Sequence, residues 1–398
     1  MSFPVLPRGS APNSQAKMSR SPLLARAYDL CVEKARRNIR RLADAPKSGA
    51  FAADGDYFGF HEGFFEISNW TSSFFTGMAL LAYRSTGDTE FLAQCNRLKA
   101  PYREKVVRHG MDTMHDLGFL YTLYSVAAYK QTGDREHRET ALLAAAELAK
   151  RFVPEGKYLR AWGRMDENRT DYAGLAIIDS LMNLPLLCWA AAESGDFRLR
   201  EIADRHASTV LEYFVRPDDS VCHSFRFDPR TGAPVGADNY CGRTVESCWA
   251  RGTSWAIYGF ALMHGYTREA RYREAALRVA RKFVSLLDEE LVPVWDFSLP
   301  EGEPRLRDSS AAAIAACGLD ELQKYLPGET GLTAAADALT ERLCSSDYLD
   351  ERLECPGLLK HAQIGDGVGK ARVAYSSWGD YFFMEALARR LHGDPRFW

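Results

Sequence analysis

Hydrophobic and polar positions divide the chain into twelve segments of helical length. We predict helices over residues 21–44, 70–86, 89–109, 116–132, 136–152, 172–194, 197–216, 247–264, 268–287, 308–324, 330–345 and 375–392. Every second segment, starting with 70–86, is apolar on all sides like a buried helix, whereas the segments between carry one apolar stripe. The alternation predicts an inner ring of six helices inside an outer ring of six, the all-α architecture of an (α/α)6 barrel.

A glycine followed by an aspartate marks the ends of several predicted helices. The pairs are Gly87-Asp88, Gly133-Asp134, Gly195-Asp196 and Gly393-Asp394, with looser versions at Gly265 to Thr267 and Gly318 to Asp320. We expect the glycine to end one helix in the left-handed conformation and the aspartate to cap the next. Because each inner helix ends in a tight turn and begins after a longer loop, all six should begin at one end. Long loops on a rigid scaffold build binding sites, so we expect the site there.

Composition and charge exclude some classes of partner. The 398 residues carry a formal net charge of −3, whereas nucleic-acid and membrane-surface binding both need concentrated positive charge. Nine scattered cysteines without a C-x-x-C pair indicate reduced thiols and a cytoplasmic protein. No apolar run is long enough to span a membrane. Residues 1–19 are predicted to form a disordered tail, and residues 20–398 a single catalytic domain.

Aromatic, acidic and arginine side chains collect at the predicted entrances to the inner helices. Such a set suits a sugar site, because sugar C–H faces pack on rings while hydroxyls bond to carboxylates and amides. Asp179 stands out because it interrupts the apolar run LAIIDSLMNLPLL. An unpaired charge buried there would cost several kcal/mol, so the carboxyl is either neutral or faces a cavity. Burial raises the pKa of a carboxyl, which suits a general acid near neutral pH.

The candidates also have purely structural interpretations. Asp179 could be a buried cap, and Asp116, at the start of predicted helix 116–132, could be an ordinary N-terminal carboxylate. If the two carboxyls are close, repulsion pushes their pKa values apart. Arg251, two residues after Trp249 in a stretch meant for the barrel interior, should pair with a protein carboxylate or a substrate anion. With no H-x-x-x-H motif or Cys/His cluster, a metal site is not expected.

Four separated motifs resemble one enzyme family. They are HDLGF (115–119), IIDSLMNLPLL (177–187), HSFRFDPRTG (223–232) and CWARGTSWAIYGF (248–260). From about Trp70 to Asp308 the chain is similar to the unsaturated glucuronyl hydrolases, glycoside hydrolase family 88. The HDLGF form resembles this family more than the related unsaturated rhamnogalacturonyl hydrolases of family 105.

The resemblance implies an (α/α)6 barrel and a hydrolase of oligosaccharides whose non-reducing end is a 4,5-unsaturated uronic acid. Such an enzyme hydrates the enol-ether double bond instead of attacking the anomeric carbon. By motif position, Asp179 would protonate C4 and help water add at C5, with Asp116 in support. The other implied substrate contacts are the aromatic walls Trp70, Trp249 and Trp255 and the polar positions His115, His223, Arg251 and Cys241. No metal or organic cofactor is implied.

One stretch departs from the family pattern. Between the His223 motif and Trp249 the family carries a His-Gln pair that contacts the unsaturated uronate. Here the stretch reads GADNYCGRTVES, which puts Tyr240 and Cys241 at that place. A thiol cannot reproduce the hydrogen bonds of an amide, so we expect recognition at this position to differ.

Other functions stay open from the sequence. They are a sugar epimerase on the same barrel, an unsaturated rhamnogalacturonyl hydrolase, and a non-catalytic toroid that binds carbohydrate or a protein. An epimerase would need histidine bases in the lumen, where only His115 and His223 are well placed. A non-catalytic toroid would not be expected to keep a carboxylate in an apolar inner segment, as Asp179 is. We expect a monomer or a weak homodimer.

Overall fold

The computed structural model describes residues 22–42, 47–59, 63–167, 170–365 and 373–398, so the predicted tail at 1–19 lies outside the described residues. The α-helices in these ranges are α1 Pro22–Arg41, α2 Ser72–Thr86, α3 Thr89–Asn96, α4 Lys99–Arg108, α5 Leu117–Tyr121, α6 Ala127–Thr132, α7 Arg135–Ala149, α8 Thr170–Ala173, α9 Leu184–Ser194, α10 Phe197–Phe214, α11 Ala250–Thr267, α12 Ala270–Ser285, α13 Ser309–Gln323, α14 Thr330–Leu343 and α15 Ser377–His392. The strands are β1 Phe51–Ala52, β2 Phe152–Val153, β3 Tyr158–Leu159, β4 Leu175–Ile177, β5 Ser224–Phe227, β6 Pro234–Asp238, β7 Ala362–Gln363 and β8 Val373–Ser376.

In the described part of the chain, six helical units close into a ring. In order they are α2, α5 with α6, α9, α11, α13 and α15, each packed on the next, and α15 packs on α2. The amphipathic units α1, α3 with α4, α7, α10, α12 and α14 cover the outside of this ring. The predicted (α/α)6 barrel is therefore confirmed, with the uniformly apolar segments inside. None of the helices described is long and apolar enough to cross a membrane.

The strongest turn signals of the sequence are confirmed. The glycines that end α2, α6 and α9 are left-handed, with φ of 71°, 72° and 78°. The aspartates that follow them cap α3, α7 and α10, each accepting the backbone N–H two residues later. These turns lie at one end of the barrel and leave the longer loops at the other.

Two looser turn predictions were wrong. Gly318 lies inside α13, where a β-carbon would stand 2.9 Å from the backbone nitrogen of Tyr258. That glycine is needed for close helix packing and ends nothing. Helix α11 runs through Gly265 to Thr267, and Arg268 takes the left-handed position instead, with φ of 63°.

Prolines divide two predicted helices. The predicted segment 89–109 breaks into α3 and α4, and Pro101 stands in the first turn of α4, where its missing N–H is tolerated. The predicted segment 172–194 contains β4, a 3₁₀ turn over Ile178–Asn183, and then α9 with Pro185 in its first turn. Asp179 therefore does not lie two turns inside an α-helix, as the sequence suggested. It is the second residue of the 3₁₀ turn.

Short antiparallel strands add a feature that an all-α prediction omits. Strands β4, β5 and β6 form a small sheet in which Ile177 pairs with Ser224. Because β4 leads directly into the 3₁₀ turn, the sheet lies at the loop end and supports the entrance of the α9 unit.

Aromatic side chains fill the lumen of the inner ring. Trp398 stacks on Phe382 with the ring centroids 5.8 Å apart, and its ring meets that of Phe119 edge-on at 6.0 Å. Phe119 in turn lies 5.4 Å from both Trp70 and Trp255. A cavity of about 970 Å³ lies at the opposite end of the barrel from the long loops, where the inner helices end, and its lining includes Tyr266, Tyr325, Arg389 and Trp398.

Candidate active site

The two candidate carboxyls lie at the starts of neighbouring inner units. Asp116 is buried and directly precedes α5, and Asp179 is half-buried in the 3₁₀ turn before α9. The Asn183 amide joins these segments. Its Oδ1 accepts the Phe119 N–H at 2.8 Å, and its Nδ2 donates to the Asp179 carbonyl at 3.3 Å. One side chain thus links the backbones that carry the two carboxyls.

Both carboxyls hold protons more tightly than ordinary aspartates. Burial raises the pKa of Asp179 to about 6, although the nearby Arg251 charge opposes the rise. Burial, and then repulsion from Asp179, raise the pKa of Asp116 well above its usual value. Asp179 Oδ1 is buried, and none of the described residues gives it a hydrogen bond. The site therefore contains a carboxyl that is protonated in mildly acidic solution and has an unused oxygen.

Behind Asp116 lies a buried cation that bonds to backbone. The Arg151 guanidinium donates to the carbonyls of Thr113, Arg160, Ala161 and Gly163. Burial lowers the pKa of Arg151 to about 9, and its charge partly offsets the upward shift of the Asp116 pKa. Arg151 therefore fixes the loop before α5 and places a positive charge near the first carboxyl.

His115 is enclosed by protein in this structure, and its contact with substrate stays a prediction. Its side chain is fully buried, and neither ring nitrogen has a hydrogen-bond partner among the described residues. Nε2 lies 3.4 Å from Asp116 Oδ1, which is an ionic contact only if the ring is protonated. Burial, followed by the Arg151 charge, lowers the pKa of His115 well below its usual value. The ring is therefore neutral and packs beneath Asp116.

His223 lies beside Asp179 and has a fixed tautomer. Its carbonyl accepts the Ile178 N–H at 2.9 Å. Its Nδ1 accepts the backbone N–H groups of Tyr240 at 3.0 Å and Cys241 at 3.2 Å. Burial lowers the pKa of His223 to about 3, so the ring is neutral and its single proton is on Nε2. The residue is a hydrogen-bond donor at this site.

The two residues that depart from the family pattern have separate surroundings. Tyr240 accepts a hydrogen bond from Arg226 at 3.0 Å, and its ring meets that of Trp162 edge-on at 4.6 Å. Cys241 is half-buried, and burial raises the pKa of its thiol to about 12 despite the Arg251 charge. The thiol is therefore neutral and contributes at most a weak donor.

Arg251 is held by the protein itself. It is buried, and Nη1 donates to Asp308 Oδ2 at 2.7 Å and to the Gln363 carbonyl at 2.5 Å, while Nη2 donates to the Ile364 carbonyl at 2.9 Å. Of the two partners considered from the sequence, the protein carboxylate is the one observed. Arg251 connects α11, α13 and the loop around β7, and its contact with substrate stays a prediction.

Trp70, Trp378, the Arg251 cation, Trp249 and His223 lie next to one another in a row. We call this row the aromatic belt. Trp70 stacks on Trp378 at 5.2 Å and 21°. The guanidinium carbon of Arg251 lies 5.1 Å from the Trp378 ring and 4.6 Å from the Trp249 ring, and Trp249 meets His223 at 4.7 Å. The belt thus joins the starts of α2, α11 and α15.

Three buried donors on or next to this belt lack a partner among the described residues, as do other buried polar atoms elsewhere in the barrel. Among the described residues, the indole nitrogens of Trp249 and Trp378 and the Gln363 Nε2 have no acceptor. Buried polar groups in native proteins are normally hydrogen-bonded, so such a cluster marks a place that a ligand or water completes.

Trp255 is enclosed by other aromatic side chains in this structure. Only 1% of the residue is exposed, and its ring packs against Phe119 at 5.4 Å and Phe382 at 5.3 Å. It lies deep in α11, in the aromatic layer that closes the lumen. Its stacking on a sugar stays a prediction.

Sequence reasoning assigned no role to four residues that shape the site. They are Asn183, Arg151, Trp378 and Asp308. Asp308 and Trp378 belong to the side chains that the sequence collects at the inner-helix entrances, although neither was given a role of its own. The roles of Asn183 and Arg151 depend on partners distant in sequence, so no local pattern indicates them.

A second cavity of about 380 Å³ opens at the loop end, where its lining includes Met114, two residues before Asp116. Its lining combines aromatic, charged and apolar side chains: Ile67, Asp112, Met114, Trp162, Gly163, Arg164, Glu167 and Tyr172. The Trp162 and Tyr172 rings meet edge-on at 5.9 Å.

Within the described ranges no group of three or more His, Cys, Asp or Glu is placed to hold a metal ion.

Known proteins share this sequence and architecture. The family model for Glycosyl Hydrolase Family 88 matches residues 60–389. The unsaturated glucuronyl hydrolase of Bacillus sp. (strain GL1) is 36% identical over 343 residues, covering 83% of this chain and 88% of that protein. The unsaturated chondroitin disaccharide hydrolase of Streptococcus pyogenes serotype M1 is 35% identical over 373 residues, covering 92% and 90%.

The structural similarity extends over nearly the whole chain. The crystal structure of the unsaturated glucuronyl hydrolase from Bacillus sp. GL1 superposes with a TM-score of 0.85 and 33% identity, covering 93% of this chain and 97% of that one. With the family match, the (α/α)6 ring and the paired carboxyls at its loop end, the chain belongs to Glycosyl Hydrolase Family 88.

Proposed function

We propose that this enzyme removes a 4,5-unsaturated glucuronic acid from the non-reducing end of short oligosaccharides by hydrating the double bond of the sugar ring. The relatives named above are hydrolases of unsaturated glucuronyl and unsaturated chondroitin substrates, and they match at least four fifths of this chain. Polysaccharide lyases generate such ends, so the enzyme would act after a lyase.

The proposed reaction is balanced with one water. The Asp179 carboxyl donates its proton to C4, and the oxygen of a water molecule bonds to C5 while Asp179 takes a proton from that water. The product is a hemiketal, in which C5 carries both the new hydroxyl and the ring oxygen. The ring then opens to a ketone at C5, and C1 releases the remaining sugar with its glycosidic oxygen.

The observation that carries this proposal is the state of Asp179. Its pKa of about 6 allows both the acid and the base form near neutrality, and its Oδ1 accepts no hydrogen bond from the part of the chain that the structure describes. Proton transfer to carbon needs a positioned acid, and such a group contributes about 10²–10⁴-fold to rate. A carboxyl that was only structural would use its oxygens in protein hydrogen bonds, as Asp380 does with Tyr57, Leu358 and Leu359.

Asp116 would act as the partner carboxyl. Because its pKa is raised by burial and by Asp179, it keeps a proton when Asp179 ionises. A neutral carboxyl next to the reacting one can donate a hydrogen bond to a ring hydroxyl and avoids a second buried negative charge.

The aromatic belt would hold the unsaturated ring. Trp70 and Trp249 would present ring surface, and the unpartnered donors of the belt, together with His223 Nε2–H, would bond to oxygens of the uronate. The second cavity, with Trp162 and Tyr172, would accept the rest of the oligosaccharide.

An epimerase has less support. Such an enzyme needs a base in the lumen, yet burial lowers the pKa values of His115 and His223 far below neutrality. Neutral rings with such low pKa values are weak bases.

The hydration step is tested by measuring deuterium incorporation into the product together with the absorbance of the double bond. In D₂O with an unsaturated disaccharide, the proposal expects one deuterium at C4 of the product and loss of double-bond absorbance in step with sugar release. Release of a sugar whose partner product keeps its absorbance would show attack at the anomeric carbon and overturn the proposal.

A further inference from the structure

His206 lies on the outer helix α10 and reaches the 3₁₀ turn that carries Asp179. The side chain is fully buried. Its Nδ1 accepts the backbone N–H of Leu159 at 2.9 Å, and its Nε2 lies 2.5 Å from Ser180 Oγ. The ring thus connects β3 to the residue that follows Asp179.

The donor and the acceptor of each hydrogen bond that links Leu159, His206, Ser180 and Ile177 can be assigned. A backbone N–H can only donate, so Nδ1 carries no proton, and the proton of the neutral ring is on Nε2. Nε2–H therefore donates to Ser180 Oγ, which in turn donates to the Ile177 carbonyl at 2.5 Å. Burial lowers the pKa of His206 to about 3, so this arrangement persists while Asp179 titrates.

The position of the Asp179 carboxyl depends on its backbone. Oδ1 has no partner among the described residues, so the side chain is aimed mainly by the turn on which it stands. Three contacts hold that turn: the bond from the Ile178 N–H to the His223 carbonyl, the Asn183 bond to the Asp179 carbonyl, and the Ser180 link to His206. His206 is the anchor that comes from the outer ring.

We infer that His206 is a positioning residue for Asp179, which it aims through Ser180. The inference rests on the proposed role of Asp179 as the proton donor. A displacement of about 1 Å can lower a rate by about 10²-fold, so a loosened turn should lower kcat while leaving KM nearly unchanged.

Two substitutions separate the two hydrogen bonds of the ring. The amide of His206→Asn reaches the position of Nδ1 and can bond only to Leu159. The amide of His206→Gln reaches the position of Nε2 and can bond only to Ser180. Asn is one methylene smaller than Gln, so packing loss alone would make His206→Asn the less stable variant, and kcat must be compared at a temperature where both variants are fully folded. We expect His206→Asn to lower kcat by about 10–100-fold and His206→Gln by less than about threefold.

Three further measurements complete the test. Ser180→Ala breaks the same link without changing α10, and we expect it to lower kcat as much as His206→Asn does. It also keeps the test possible if His206→Asn folds poorly. His137→Asn is the matched control, because His137 is a buried outer-helix histidine whose Nε2 lies 3.3 Å from Asn96 Oδ1. It should lower the melting temperature without lowering kcat. The titration of the Asp179 carboxyl, followed by ¹³C NMR, should change in His206→Asn and Ser180→Ala only.

The outcomes distinguish the two ideas. Equal kcat values in His206→Asn, His206→Gln and Ser180→Ala, or losses that only follow melting temperature, would overturn the positioning role. A wild-type enzyme inactive on every unsaturated disaccharide would refute the proposed function instead. The NMR titration would then decide the structural link alone, because it needs no turnover.

Discussion

Gly118 lies directly against Asn183. A β-carbon at Gly118 would stand 2.2 Å from the Asn183 α-carbon, closer than real contacts allow. This contact lets α5 approach the 3₁₀ turn, and the Phe119 N–H then reaches the Asn183 side chain at 2.8 Å. The glycine of the HDLGF motif is therefore explained by the distance between the two carboxyl-bearing segments.

Gly118→Ala should push these segments apart. We expect a destabilisation of about 1–3 kcal/mol from overpacking, together with a larger loss of kcat than of folded protein. Chemical denaturation and steady-state kinetics measure the two effects. Gly331→Ala on α14 is the control, since a β-carbon there meets nothing within 4 Å, and it should leave both unchanged or slightly raise stability. A fully active Gly118→Ala enzyme would contradict the packing argument.

The pH dependence of the rate should follow Asp179. A general acid works in its protonated form, which predominates below its pKa of about 6. We therefore expect kcat/KM to fall about tenfold per pH unit as the pH rises above about 6. Measuring kcat/KM from about pH 5 to about pH 8 shows this decrease and the pH at which it begins. If kcat/KM instead began to fall near the ordinary aspartate pKa, another group would be the proton donor.

Removing the Asp179 charge should stabilise the protein in alkaline solution. The pKa of this carboxyl is raised from 3.8 to about 6 on folding, so the folded state loses stability as the pH rises through that interval. At about pH 8 the free energy of unfolding of Asp179→Asn should therefore exceed that of wild type by about 1–3 kcal/mol. At about pH 4 the two free energies should be nearly equal. Chemical denaturation measures both. A variant less stable than wild type at the higher pH would show that Asp179 is a structural group.

Arg251→Lys should be destabilising although it keeps the charge. The ammonium cannot bond at once to Asp308 and the two carbonyls or stack between the belt tryptophans. We expect a loss of about 2–4 kcal/mol and a raised KM. Arg271→Lys, at an exposed ion pair with Asp204, is the control and should change stability by less than about 1 kcal/mol. Equal stabilities in the two variants would contradict the role given to Arg251.

The barrel could be predicted from the sequence because its signals are local. Helix-length apolar segments and Gly-Asp turns each depend on neighbouring residues only, and the turns at Gly87, Gly133 and Gly195 are confirmed. The same reasoning failed at Gly318, where the glycine permits contact with Tyr258 on another helix. A glycine that ends a helix and one that lets two helices touch look alike in sequence.

The site could be predicted only in part. Asp179 and Asp116 could be named as candidates because a carboxylate in an apolar run and an acid at a helix start are visible in the sequence. The strand and 3₁₀ turn around Asp179 were missed, since a short apolar run fits a strand or a helix equally well. The deep burial of Trp255 was not predicted, because a tryptophan in a buried helix gives no sign of which way its ring faces. The roles of Asn183 and His206 depend on partners set by the fold.

The most direct measurement is the loss of double-bond absorbance when an unsaturated glucuronyl disaccharide is mixed with wild-type enzyme, Asp179→Asn and Asp337→Asn. Asp337 is an exposed aspartate on α14 and serves as the matched control. The proposed mechanism expects loss of absorbance with wild type and Asp337→Asn, and a rate at least about 10²-fold lower with Asp179→Asn. A fully active, folded Asp179→Asn enzyme would contradict it.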